Sequence, residues 1–122
     1  MTPIPPDVAA AIVAAGHYVQ ASADGAWIWS RGELRESPAW RVCIGDCVGR
    51  APTARASTLD ALARCAVVED GREAKGRAEA KRLRSEWKVR GATDAAETAA
   101  KRAADVRALA AQVAAMWPEV TP

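Results

Sequence analysis

From Asp70 to the C-terminus the chain carries no β-strand pattern, only two segments rich in Ala, Glu, Lys and Arg, and this restricts the fold more than any other feature. The segments Glu73 to Val89 and Asp94 to Trp117 are separated by Arg90-Gly91-Ala92-Thr93. Gly91 suits the left-handed position just past a helix end, and Asp94 with Glu97 three residues on suits an N-cap and its reciprocal partner. Gly76, Ala80, Leu83 and Trp87 recur at steps of four, three and four, and Ala99, Ala103, Val106, Ala110, Val113 and Trp117 repeat the rhythm. Small side chains at most of these positions let two backbones approach closely. An antiparallel helical hairpin is therefore expected, turning at 91–93, with Trp87 and Trp117 plugging opposite ends. The spacings Glu73–Arg77, Arg82–Glu86 and Glu97–Lys101 offer exposed ion pairs along it.

Composition bears on the same point. Thirty of the 122 residues are Ala and none is Phe, and fourteen of the alanines fall at 95–115 or at Ala74, Ala78 and Ala80. Bulky apolar residues number 28, enough for a thin core. A single domain over residues 1–122 follows, in which a head of residues 1–70 and a hairpin of residues 71–118 share that core because neither holds enough large side chains alone.

The head reads as α-β-β-β(-β)-α. Pro5 to Ala15 predicts a short helix with Pro in its first turn and Gly16 as its stop. Asp24-Gly25 is a two-residue hairpin signal, and a turn there places Val19, Ala21, Ala26 and Ile28 on one face and Tyr18, Gln20, Trp27 and Trp29 on the other. A polar loop over Gly32 to Pro38 precedes Trp40 to Ile44, whose apolar residues alternate with Arg41 and Cys43 as in a half-buried strand. Gly45-Asp46 turns this strand into a short one over Cys47 to Arg50. Ser57 with Asp60 resembles a capping box for a helix running to about Val68. The fold class expected is thus α+β: a small three- to four-stranded antiparallel sheet with flanking helices, followed by a C-terminal antiparallel helical hairpin.

The formal charge is only +2, but residues 72–90 alone carry eight basic and three acidic side chains. On one helix advancing about 100° per residue, Arg77, Lys81, Arg84 and Lys88 share a band roughly 60° wide beside the seam. Such a row matches a phosphate backbone or an acidic protein surface. No aromatic interleaves it on the side expected to be exposed, so base stacking is not indicated. The second candidate surface is the aromatic patch of Tyr18, Trp27 and Trp29, a protein contact if its face is open and core if a helix covers it.

Three Cys and no secretion signal or membrane-spanning stretch point to reduced thiols in the cytoplasm. Cys43, Cys47 and Cys65 with His17 have poor zinc-ligand spacing, and no metal or cofactor is expected. There is no nucleophile elbow, zinc-hydrolase motif or phosphate loop: Gly71 to Arg77 has Arg77 where Lys would stand. An enzymatic reading would need His17 and two carboxylates in one cleft. The function expected is non-catalytic binding, by a small regulator or inhibitor of the kind phages and mobile elements encode, which occupies an anionic surface of a nucleic-acid-handling or other protein complex. Direct phosphate-backbone binding through the face at 77–88 is one alternative, and a helical-hairpin homo-oligomer is another. The protein itself is expected to be a monomer or homodimer without membrane association.

Overall fold

The computed structural model describes residues 4–30 and 32–119, and the side chains of 24–30 and 33–39 lie outside the described set. Six elements follow one another: α1 (Pro6–Ala14), β1 (Val19–Ser30), β2 (Glu33–Ile44), β3 (Cys47–Ala51), α2 (Ala54–Arg82) and α3 (Glu86–Met116). The sheet is three-stranded and antiparallel in the order β1-β2-β3, and α2 and α3 form the helical hairpin, so the fold is α+β.

Helix α1 stops where expected. Gly16 adopts φ +90°, and the backbone N–H groups of Gly16 and His17 return to the carbonyls of Val13 and Ile12, which satisfies the end of the helix. The Gly45-Asp46 turn also forms, with Gly45 at φ +59° and Ile44 paired with Cys47. The turn expected at Asp24-Gly25 does not. Asp24 and Gly25 pair with Ala39 and Pro38 inside a continuous ladder from Val19↔Ile44 to Ser30↔Glu33, and the chain reverses after Ser30 instead. Closing between Ser30 and Glu33, with Gly32 at φ +77°, satisfies about a dozen residues of each strand, many more than a hairpin closed at 24–25 can pair. The segment expected as a polar loop, 32–38, is therefore mostly strand. Because β3 pairs only with Trp40 to Ile44, the β1–β2 ribbon continues past it as two strands.

Helix α2 begins earlier than its capping-box signal. Thr53 is the N-cap, its Oγ1 accepting from the Ala56 N–H at 3.1 Å. Ser57 lies one turn inside, wholly buried, its single hydroxyl hydrogen shared between the carbonyls of Trp40 (2.9 Å) and Gly49 (2.7 Å). It ties α2 to β2 and β3 together. Asp60, the expected cap partner, instead accepts from the Arg50 N–H at 3.2 Å and from Arg64 at 3.0 Å.

The core lies where the two sets of elements meet: Val8 and Ile12 of α1, Val42 and Ile44 of β2, Ala61, Leu62 and Ala66 of α2, and Val106, Leu109 and Val113 of α3. Trp117 packs against its rim, while Arg55 donates to the carbonyls of Trp117 and Ala114, a cation on the C-terminal end of α3. The boundary expected at residue 70 falls inside α2, which supplies the core with its first half and the hairpin with its second.

The hairpin turns at Leu83-Arg84-Ser85, eight residues before the turn expected at 91–93. Gly76 then faces Ala92 and Ala96, where an added Cβ would meet the Ala92 carbonyl and the Ala96 Cβ at 3.0 Å. Placing the reversal at 83–85 opposes the smallest residues of both helices, and it puts Lys81 and Arg82 in the last turn of α2 and Glu86 in the first turn of α3, as the helix dipoles favour. Seam residues Ala99, Ala103, Val106 and Val113 are buried as expected, but Trp87 is 74% exposed and plugs nothing.

Two substitutions test this architecture in opposite directions. At Gly49 an added Cβ would lie 2.0 Å from the Ser57 carbonyl oxygen and 2.5 Å from the Ala61 nitrogen, both backbone, so Gly49→Ala is expected to cost about 3 kcal/mol or more in urea unfolding. Gly91 sits inside α3 with open space around it, so Gly91→Ala is expected to add up to about 1 kcal/mol. A loss of stability at Gly91 would mean that the chain turns there after all.

Candidate functional site

Two regions gather chemistry-bearing side chains. The first is a cleft of about 350 Å³ where the end of α1, the β2–β3 turn and the middles of α2 and α3 converge. His17, Asp46, Cys47, Cys65, Glu69 and Asp105 line it, together with Arg72 and Arg102. Gly16 delivers His17 by ending α1, Gly45 delivers Asp46 and Cys47 by closing the strand turn, and Cys65, Glu69 and Arg72 follow at helical steps along α2.

His17 and more than two carboxylates thus do share a cleft, which is what catalysis would require, so their bonding decides what the cleft can do. Glu69 is held by Arg72 at 2.6 Å, and its other carboxylate oxygen is buried without a hydrogen-bond partner among the described residues. Cys65 Sγ contacts the Ile44 carbonyl at 3.5 Å. Burial, the neighbouring Cys47 thiol and the carboxylates of Glu69 and Asp46 push the Cys65 thiol up to about 12. At neutral pH it is protonated and a poor nucleophile. No hydrogen bond joins His17 to a carboxylate or thiol among the described residues, so no nucleophile–base pair is assembled. The residue types for acid–base chemistry are present without the contacts that would make them act together. All three cysteines are free thiols, and no cluster of three His, Cys, Asp or Glu side chains fit to hold a metal ion exists among the described residues.

The second region is the distal end of the hairpin. From residue 67 to residue 95 no side chain is fully buried, and on the facing stretch of α3 the fully buried side chains up to residue 105 are alanines, Ala96, Ala99 and Ala103, so this half of the hairpin is a slender two-helix arm beyond the main core. At its base Asp70 of α2 and Arg107 of α3 form a two-pronged ion pair, whose hydrogen bonds hold the Asp70 carboxyl below its ordinary value. The expected basic row is divided by the reversal at 83–85. Arg77 and Lys81 stand on α2, Arg84 in the connection, and Lys88 in the opening turn of α3, so the four do not form a single helical stripe. They remain at one end of the molecule, joined there by Lys75, Arg82 and Arg90. Arg77 is paired with Glu73 at 2.9 Å and Arg82 with Glu79 at 2.9 Å, in place of the expected Glu86. Among the described residues Lys75, Lys81, Arg84, Lys88 and Arg90 have no carboxylate partner.

The aromatic patch is only partly in view. Tyr18 precedes β1 and is 66% exposed, its hydroxyl 3.3 Å from Gln20 Oε1, while the side chains of Trp27 and Trp29 lie outside the described residues. What the sequence reading missed is Trp87. Its step of four from Leu83 signalled a seam position, and only the location of the turn shows that it belongs to a new helix and faces outward. A more open apolar hollow of about 710 Å³, with Val48 of β3 and Val67 and Val68 of α2 at its edge, also went unforeseen because scattered surface valines carry no pattern of their own.

Comparison of the chain with protein-family models, with curated proteins and with solved structures finds no match. No helix among the described residues is long and apolar enough to cross a membrane.

The bonding of Cys65 gives a direct check on the cleft. Its alkylation by iodoacetamide, followed by peptide mass mapping, is expected to rise about tenfold per pH unit from pH 7 with no plateau below pH 10, since only the thiolate reacts. A plateau near pH 8 to 9 would show an ordinary or activated thiol.

Proposed function

We propose that this is a non-catalytic binding protein, acting in the cytoplasm, whose basic arm holds an anionic partner while the α+β head serves as its base. The observation that carries this reading is the concentration of cations with no carboxylate partner among the described residues, Lys75, Lys81, Arg84, Lys88 and Arg90, toward the end of the arm, where no side chain from residue 67 to residue 95 is fully buried. Repulsion among like charges destabilises a structure that gains nothing from them, and Arg77 and Arg82 show that the same helices can neutralise cations locally. Cations left unneutralised at a projecting end draw counterions, and a polyanion that displaces those counterions binds with an entropic advantage.

A role as a small regulator or inhibitor that occupies the anionic surface of a nucleic-acid-handling complex accords with this arrangement. The protein would act by coverage and not by chemistry, since the cleft beside His17 holds no assembled catalytic pair. Hairpin-to-hairpin assembly is less favoured, because the seam alanines and Val106 and Val113 are already buried within one chain.

Heparin-agarose tests the arm. The native chain is expected to be retained and to elute with salt, and the Lys81→Glu/Arg84→Glu/Lys88→Glu variant to pass in the wash. Lys101→Glu, an exposed site nearer the core, is expected to elute almost as the native chain does. If log affinity for a duplex oligonucleotide is plotted against log salt, a slope of about −3 to −4 is expected when three to four of these cations meet phosphates. Equal elution of the native and triple-variant proteins would refute the reading.

A further inference from the structure

Trp87 is the most exposed of the described large apolar side chains, and it stands in the first turn of α3, between Arg84 and Lys88 in the chain and beside Arg90 in one hollow. With Ser85, Glu86 and Arg90 it lines a shallow hollow of about 360 Å³ at the very end of the arm. We propose that this hollow receives an unpaired base of a single-stranded nucleic acid, stacked on the Trp87 indole, with Arg84, Lys88 and Arg90 meeting the flanking phosphates. This rests on the reading of the arm as an anion-binding end, and names the polyanion.

Three features favour this occupant over other anionic ones. An indole amid cations suits a ligand that offers a π face and a phosphate within a few ångströms of each other, which a nucleotide does and a carboxylate side chain does not. Glu86 lines the hollow and has no ion-pair partner among the described residues, so it opposes an acidic peptide but can accept a hydrogen bond from a base amino group. A lipid surface would call for several apolar side chains inserted together, and between residues 72 and 95 Trp87 is the only large one exposed among the described residues. A base inside a duplex is stacked on both faces and cannot reach the indole, so the hollow distinguishes single strands from double.

Fluorescence anisotropy with labelled oligonucleotides tests the assignment, using a ~12-nucleotide deoxyadenylate strand and a mixed-sequence duplex of similar length. Trp87→Ala is expected to weaken single-strand binding about tenfold or more while duplex binding stays within about twofold, and Trp87→Phe to restore a large part of the loss. Because Trp87 is so exposed, these variants are expected to keep the native far-UV circular dichroism and melting temperature. Lys81→Glu/Arg84→Glu/Lys88→Glu is expected to weaken both ligands. If Trp87→Ala leaves single-strand binding unchanged, or lowers both ligands equally, base stacking is overturned and the anion-binding arm stands. If polyglutamate competes as well as the single strand does, the partner is an acidic protein and the assignment fails. If the triple charge reversal changes neither ligand, the reading of the arm itself fails.

Discussion

At Gly49 a strand and a helix meet with nothing between their backbones. The Ser57 carbonyl and the Ala61 nitrogen lie where a side chain on Gly49 would have to be, so α2 rests directly on β3. That contact sets the height of the helix above the sheet, and the Ser57 hydroxyl, held between the Trp40 and Gly49 carbonyls, sets its position along the strands. Once the start of α2 is placed in this way, Leu62 and Ala66 fall over Val42 and Ile44, and α3 returns along α2 to bring Val106, Leu109 and Val113 into the same volume. Helix α1 closes the remaining side with Val8 and Ile12. A thin core of ten buried residues among those described suffices because α1, β2, α2 and α3 meet in it at one place, with Val19 and Ala21 of β1 packed against it.

The same helices have two energetic regimes. Near the sheet they are held by bulky apolar burial, and beyond the Asp70–Arg107 ion pair they continue as an arm whose buried side chains are alanines, Ala96, Ala99 and Ala103, joined by Val106 at its base. What keeps the arm together is close packing of small residues, Gly76 against Ala92 and Ala96, with high helix propensity along both strands of the hairpin. Such an arm gives up bulk on its inner face, so whatever it offers a partner must come from its outer face and its tip. Those surfaces are where the unpaired cations and Trp87 stand.

Much of this was legible in the residues and some was not, for reasons that can be named. The stop at Gly16 and the turn at Gly45 were plain because a positive φ is a local demand that Gly alone meets easily. The seam from Ala99 to Val113 was plain because its period extends over many turns. Asp24-Gly25 misled because a turn signal states only what is locally permitted, and the longer ladder that closes after Ser30 outweighs it. Ser57 misled likewise: its hydroxyl fits a cap, yet the sheet engages it, and Thr53 caps instead. The largest error followed from Gly91, whose helix-ending tendency is overridden by the match of Gly76 with Ala92 and Ala96 on the facing helix. Moving the turn by eight residues divided the basic row between two helices and turned Trp87 from an interior plug into an exposed tip residue. The cleft around His17 joins residues from four elements and had no counterpart in any single stretch of sequence.

The length of the arm has a consequence for how such a protein can change over generations. From Val67 to Arg82, α2 advances about 24 Å past the core at ~1.5 Å per residue. Over that distance side chains cease to share neighbours with the core, so substitutions near the tip and substitutions in the head act on separate terms of the free energy. Selection can then alter the binding end residue by residue without endangering folding, and can repair the core without disturbing what the protein holds. A lineage built on this plan can exchange one partner for another by altering the exposed residues around one reversal of the chain.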